Sequence, residues 1–183
     1  MSTRPSQPFW IAILAFGMLS SIALADPAED MALGEEAFNK EDVTAAIAYF
    51  TKAAEANYAP AQVRLGELLD SSEYNKEAAE WYRKAAEQGN AAGEYALGHL
   101  YATGEGVEKN EEKAVYWFKR AAAKNYLFAV ETLAQAYRKG ELGLPIDPDQ
   151  AKPYEDNAKI LEALAKRMEA KKAAEMTKKD TGK

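Results

Sequence analysis

The stretch Ala78-Ala79-Glu80-Trp81-Tyr82-Arg83-Lys84-Ala85-Ala86-Glu87 decides the fold. Ala78, Trp81, Tyr82, Ala85 and Ala86 stand at i, i+3, i+4, i+7 and i+8, which is one face of a helix. The alanines let a neighbouring helix come close and the rings fill the space between. The same pattern precedes it at Ala46-Ile47-Ala48-Tyr49-Phe50-Thr51-Lys52-Ala53-Ala54-Glu55 and follows it at Ala114-Val115-Tyr116-Trp117-Phe118-Lys119-Arg120-Ala121-Ala122-Ala123, at offsets of 32 and 36 residues. A weaker fourth copy begins at Ala151, a further 37 residues on.

A second pattern travels in register with the first. Leu65-Gly66 recurs as Leu97-Gly98 and Leu133-Ala134, with Leu69, Tyr101 and Tyr137 four residues later and an upstream copy at Leu33-Gly34. Each unit therefore reads as two helices. One helix pair cannot bury its apolar face alone, but stacked pairs can, so the array is an all-α solenoid of antiparallel pairs. Such arrays need about three repeats for stability.

Local chemistry marks the helix ends. Gly89-Asn90 and Lys124-Asn125 end two helices, because Gly and Asn tolerate the left-handed terminal conformation. Asn110 starts one, and Asp147-Pro148-Asp149-Gln150 offers a cap, a first-position proline and a glutamine three residues on. Gly104-Glu105-Gly106 is the turn within a pair. The last helix runs from about Ala151 to Met176 as a C-terminal capping helix, with Tyr154, Ala158, Leu161, Ala165 and Met168 on one face. Pro153, a few residues inside it, is placed to delay or kink it. The polar residues beyond Met176 read as disordered.

Composition excludes several chemistries. There is no cysteine and a single histidine among 183 residues. Disulfides, thiolate metal sites, a cysteine nucleophile and multi-histidine metal sites are ruled out. The N-terminus reads as an export signal: Arg4, an apolar run from Phe9 to Leu19, then Ala23-Leu24-Ala25. Cleavage is expected after Ala25, giving a periplasmic or secreted protein; the competing reading is a retained anchor, since Phe9 to Ala25 nears the lower limit for a span. Loss of Arg4 moves the net charge from −6 to −7. Residues 164–183 carry seven bases, Lys166, Arg167, Lys171, Lys172, Lys178, Lys179 and Lys183, against three acids, so the tail is +4 and the body −11. An acidic body repels phosphates, and nucleic acid is not an expected partner.

These motifs resemble the Sel-1-like repeat family, a relative of the tetratricopeptide repeats. The match is closest from Ala92 to Ala122: Leu97-Gly98, Tyr101, Gly104-Glu105-Gly106-Val107, Asn110, Lys113-Ala114, Trp117-Phe118 and Ala121-Ala122. Trp81-Tyr82-Arg83-Lys84-Ala85-Ala86 with Gly89 is nearly as close. The departures are a link from Leu69 to Ala78 four residues short, Ala134 in a glycine position, and an extra residue at Glu141-Leu142. The first unit, from Leu33-Gly34 to Ala53, reads more like a tetratricopeptide repeat.

The resemblance implies a right-handed superhelix whose first helices line a concave face, and an adaptor or scaffold role. The resulting domains are a signal peptide at 1–25, a solenoid at 26–158 (repeats at about 30–57, 58–89, 90–125 and 126–158), and the end of the capping helix with a basic, partly disordered tail at 159–183.

Carrying over the groove positions of the tetratricopeptide relatives, the concave face presents Glu35, Phe38 and Asn39 from the first unit and Val63, Glu67 and Asp70 from the second. The third gives Tyr95, His99 and Thr103, and the fourth Glu131, Gln135 and Arg138. Acids, aromatics and amides in this mixture suit a peptide or partner helix. His99 would need a nucleophile and an orienting partner to act as a base. With no nucleophile elbow and no phosphate loop, no catalytic residue, cofactor or metal is assigned. Trp81, Trp117, Tyr82, Tyr116 and Phe118 read as core at their helical spacing rather than as a carbohydrate platform; Tyr116 is the expected exception, since Ala48 and Glu80 hold its equivalent positions.

The leading expectation is an exported protein–protein interaction module. The alternative is a periplasmic hydrolase or a cell-wall or small-ligand binding protein. The basic tail suits weak contact with an anionic surface, or with the acidic body of a second copy in a self-associating structural unit.

Overall fold

The computed structural model describes residues 26–181, which form eight helices and, among these residues, no strand. The expected leader at 1–25 lies outside the described residues. The helices are α1 (Pro27–Asn39), α2 (Val43–Glu55), α3 (Ala59–Ser71), α4 (Asn75–Glu87), α5 (Ala91–Thr103), α6 (Glu111–Ala122), α7 (Leu127–Lys139) and α8 (Pro148–Thr181). Each odd-numbered helix packs most extensively on the helix that follows it, and each pair packs on the next. The first helices of neighbouring pairs also meet, as α3 touches α5.

The turns follow from the chain's own residues. The side chains of Asp42, Asn90 and Asn110 each accept a hydrogen bond from the backbone N–H three residues on, at 2.8–3.0 Å. Asp147 accepts from Asp149 and Gln150. These bonds satisfy N–H groups that have no partner inside the helix. Gly89 and Asn125 adopt left-handed conformations, with φ of +79° and +60°. The short link expected between Leu69 and Ala78 is a three-residue turn through Glu73, also left-handed at φ +66°.

Three differences from the sequence reading concern the two ends. α1 begins at Pro27 rather than near Asp30, because Asp26-Pro27 repeats the Asp147-Pro148 start signal and Asp26 caps the first turn. α8 begins at Pro148 without delay despite Pro153, and it continues through Thr181. The run Lys171-Lys172-Ala173-Ala174-Glu175 is composed of strong helix formers. Only the first part of α8 is a cap. Tyr154, Ala158 and Leu161 pack on the last core cluster, whereas Ala165 and Met168, expected on the same face, are exposed.

The core runs along the array as three clusters centred on Phe50, on Tyr82 with Leu97 and Leu100, and on Phe118 with Leu133. Tyr82 and Phe118 are buried, Trp81 and Trp117 half-buried, and Tyr116 is 54% exposed. A buried polar register accompanies the core. Asp30, Gln62 and Glu94 lie at matching positions in the first three pairs. Asp30 receives Lys52 Nζ at 2.7 Å. Gln62 donates to the Ala54 carbonyl at 3.1 Å and accepts from Gln88 at 2.7 Å. Glu94 is contacted by Lys124 and Arg120 at 2.5 and 2.8 Å. The fourth pair holds Val130 there instead.

Candidate functional site

The first helices place their outward residues on one face, and the expected site residues divide into three groups along it. At one end α1 supplies Glu35, which accepts from Arg64 Nε and Nη2 at 2.6 and 3.0 Å. The same guanidinium donates to Glu67 at 2.6 Å and lies 5.0 Å from the centre of the Phe38 ring. Arg64 was not among the expected site residues, yet it ties Glu35, Phe38 and Glu67 together. Its hydrogen bond with Glu35 raises its already high pKa. Asn39, the last residue of α1, is exposed and joins none of these contacts.

The centre of the face is a groove of about 350 Å³ between α3 and α5, closed on one side by the turn into α7. Glu67, Asp70, Tyr95 and His99 all line it, over a floor that includes Val63 and Tyr82. Two lining residues were not foreseen, Tyr126 and Phe128. With Tyr95 they form an aromatic trio with ring centres 5.4–5.9 Å apart. Phe128 is 57% exposed, so its ring is open to an incoming group. A wider, shallower depression of about 710 Å³ adjoins the groove and shares Glu67, Asp70 and Tyr82 with it. Glu73 and Glu105 bring its lining carboxylates to four, and no base lines it.

The acids act on one another. Burial holds the Asp70 carboxyl above its ordinary range and the Glu105 charge adds to this, while nearby His99 pulls the other way. Burial first, then Glu67 and Tyr95, raise the Tyr126 phenol, and burial does the same to Tyr82. A groove of aromatic faces beside several carboxylates, of which Glu67 is paired with Arg64, is suited to a cationic segment: the rings attract an ammonium or guanidinium by their quadrupole and the carboxylates by charge.

No hydrogen bond orients the His99 ring among the described residues. The Ser71 hydroxyl donates to the Leu68 carbonyl and the Thr103 hydroxyl is engaged with the His99 carbonyl, both within their own helices. Among the described residues no cluster of three or more potential ligands could hold a metal ion.

The third group is separate. Glu131, Gln135 and Arg138 line a depression between α7 and α8 together with Glu155. Arg138 is bonded to Glu155 across that junction, with Nε at 2.7 Å, and Gln135 donates to Glu141 at 3.1 Å. Arg138 thus fastens the capping helix. Thr103 falls outside both depressions.

The family model for the Sel1 repeat matches residues 39–58, 59–90, 91–126 and 133–152, more than half of the chain. Among solved structures, the fold is similar to a Sel1 repeat protein from Oxalobacter formigenes, at 30% identity and a TM-score of 0.68 over 73% of this chain and 58% of that one. It is also similar to c5321, a protective antigen present in uropathogenic Escherichia coli strains that displays an SLR fold. That match has 30% identity and a TM-score of 0.65 over 75% of this chain and 34% of that one. The chain thus spans less than two thirds of either protein's length. No curated protein matches.

Proposed function

The chain belongs to the Sel1 repeat family, and on that premise we propose that it is an exported interaction module, a scaffold, adaptor or regulator of an envelope assembly. Sel1 repeat proteins generally mediate protein–protein interactions and are typically non-enzymatic. In the proposed role the groove between α3 and α5 holds a peptide or helix of the partner. The observation that carries this reading is the convergence of Glu67, Asp70, Tyr95 and His99 with the aromatic pair Tyr126 and Phe128 on one open surface. Export is supported by the leader pattern and by the position of α1, which is capped by the residue directly after Ala25. No helix among the described residues is long and apolar enough to cross a membrane.

Capture tests the reading. Residues 26–183 immobilised and exposed to envelope extract are expected to retain a partner. A control carrying Asp70→Lys, His99→Ala and Phe128→Ala should lose it, with apparent affinity down at least about tenfold, or about 1.4 kcal/mol. Arg138 is left intact because it holds Glu155. Equal retention by both proteins would place the partner elsewhere. A small cell-wall ligand, the competing reading, would stack on the aromatic trio but owe little to charge. It would survive Asp70→Lys alone and fail only with Phe128→Ala.

Asp70 adds a pH dependence. A cationic partner favours the ionised carboxylate, so affinity should rise as pH rises through the elevated pKa of Asp70 and fall below it. Stability moves the opposite way. The folded state holds this proton more tightly than the unfolded chain, so folding weakens as pH climbs from the ordinary value of 3.8 through the elevated one. Asp70→Asn should therefore flatten both profiles, leaving the melting temperature at neutral pH unchanged or slightly higher while weakening capture. Titration of melting temperature and of binding between pH 4 and pH 7 on both proteins checks this; a variant with the parent's pH profile removes Asp70 from the account.

A further inference from the structure

Two surfaces of this chain are complementary. The first is the acidic, aromatic groove. The second is α8 beyond Leu161, which continues to Thr181 and therefore extends for roughly 30 Å at 1.5 Å per residue. Every residue from Glu162 to Thr177 is exposed. Ile160, Leu164 and Met168 recur every four residues as an apolar stripe, with Leu164 50% and Met168 71% exposed. Arg167 and Lys172 flank that stripe and Lys171 continues it, and among the described residues the one ion pair of these bases is a long one, Lys171 to Glu175 at 3.9 Å.

We propose that the end of α8 from one copy docks in the groove between α3 and α5 of another, its apolar stripe on the aromatic trio and its bases against Asp70, Glu73 and Glu105. This assignment rests on the groove being a protein-binding surface and names its occupant. Charge complementarity selects the occupant: the depression adjoining the groove is lined by four carboxylates and no base, of which Glu67 is already paired with Arg64, and the helix end is the basic part of an otherwise acidic chain. An amphipathic helix lying in an apolar groove is a general recognition mode, read through anchors at this spacing. The donor is a second molecule because α8 is unbroken after Leu161 and rooted on α7, so it has no hinge by which to fold back. The contact joins two different surfaces, so each added copy leaves one groove and one helix end free. It generates open chains, or rings if the rotation closes.

Light scattering on residues 26–183, which contain all eight helices, tests the proposal. The weight-average mass is expected to rise at least about twofold from low to high micromolar concentration, and to return toward the monomer in about 1 M salt, where screening acts within about 3 Å. A tail variant with Arg167→Glu, Lys171→Glu and Lys172→Glu should stay monomeric. So should a groove variant with Asp70→Lys, Glu73→Lys and Glu105→Lys. Mixed together, the two should associate again, since each supplies the charge the other's surface now needs. Circular dichroism of each variant alone confirms that it folds. A parent protein monomeric at every concentration overturns the proposal. So does association that survives the groove variant, or a mixture that stays monomeric. If the parent is monomeric yet the groove control still loses its envelope partner in the capture experiment, the groove binds a foreign segment and only the occupant named here is wrong.

Discussion

Replacing both cations that serve Glu94, Arg120→Ala together with Lys124→Ala, is expected to destabilise the fold by about 3 kcal/mol, whereas Glu94→Leu should cost less than about 1 kcal/mol. The asymmetry follows from which partner can return to water. Glu94 is 0% exposed on α5. Arg120 and Lys124 reach it from the last turn of α6 and its end, with side chains still 37% and 40% exposed. Remove the acid, and the two cations turn outward into solvent at small cost. Remove the cations, and the carboxylate stays inside with nothing to replace them. Its Oε1 is poorly served even in the parent, taking the ionic contact from Arg120 but no well-aligned hydrogen bond. The lower end of the usual range for a broken buried pair is used because water can follow the truncated side chains in from the surface. The other repeats show that the position needs no charge, since it is filled by Gln62 in the second pair and Val130 in the fourth. Denaturant unfolding of the three proteins decides the matter. If Glu94→Leu loses as much as the double variant, the ion pair is a net source of stability and the argument fails.

How legible this architecture is in the sequence depends on whether a feature is local and repeated. The helix starts at Asn110 and Asp147 and the ends at Gly89 and Asn125 could be read because cap chemistry acts within three or four residues. The ring positions could be read because three copies in register separate Phe50, Tyr82 and Phe118, which are buried, from Tyr116, which is not. The same register held a signal that went unused: Asp30, Gln62 and Glu94 share one position, and polar residues recurring on a core-facing register mark a buried network.

The groove was harder to read for the opposite reason. Phe128 breaks the repeat, since Pro60 and Ala92 hold its matching positions, and Tyr126 is matched by Tyr58 but by Asn90 in the third pair. Their placement against Tyr95 is a contact across a turn between pairs. Arg64 looked like an ordinary helix residue because its three partners lie on two helices. Positions taken over from a relative assumed that all four pairs present the same face. In the fourth the expected residues are exposed but line a separate depression against α8, where Arg138 is bonded to Glu155. The helix end beyond Leu161 has an apolar stripe that the periodicity reveals, but periodicity cannot say what covers it.

The Leu-Gly signature leads to the second large effect, that Gly66→Val should destabilise the fold by about 3 kcal/mol, the upper end for an overpacked site. A glycine inside a helix costs about 0.5–1 kcal/mol relative to alanine, so three retained in register need a reason. The reason is a ring. A Cβ on Gly34 would lie 2.5 Å from the Phe50 ring, one on Gly66 2.6 Å from Tyr82, and one on Gly98 2.9 Å from Phe118. None of these rings can retreat, because each is buried in its cluster. The fourth pair contains the natural counterpart. Ala134 occupies the glycine position there, and the ring's position, matching Phe118, holds Glu155, while Tyr154 matches the half-buried Trp117. A methyl group at this site thus accompanies the absence of the ring that excludes it in the other three pairs. Gly66→Ala should cost about 1 kcal/mol net, since the helix propensity of alanine offsets part of the overlap. The cause is isolated by combining Gly66→Ala with Tyr82→Leu. If the ring is the obstacle, leucine removes it and the double variant is more stable than the sum of the single losses predicts, by at least about 1 kcal/mol. Strictly additive losses would mean that the glycine serves the backbone rather than the ring, and the signature would then need another explanation.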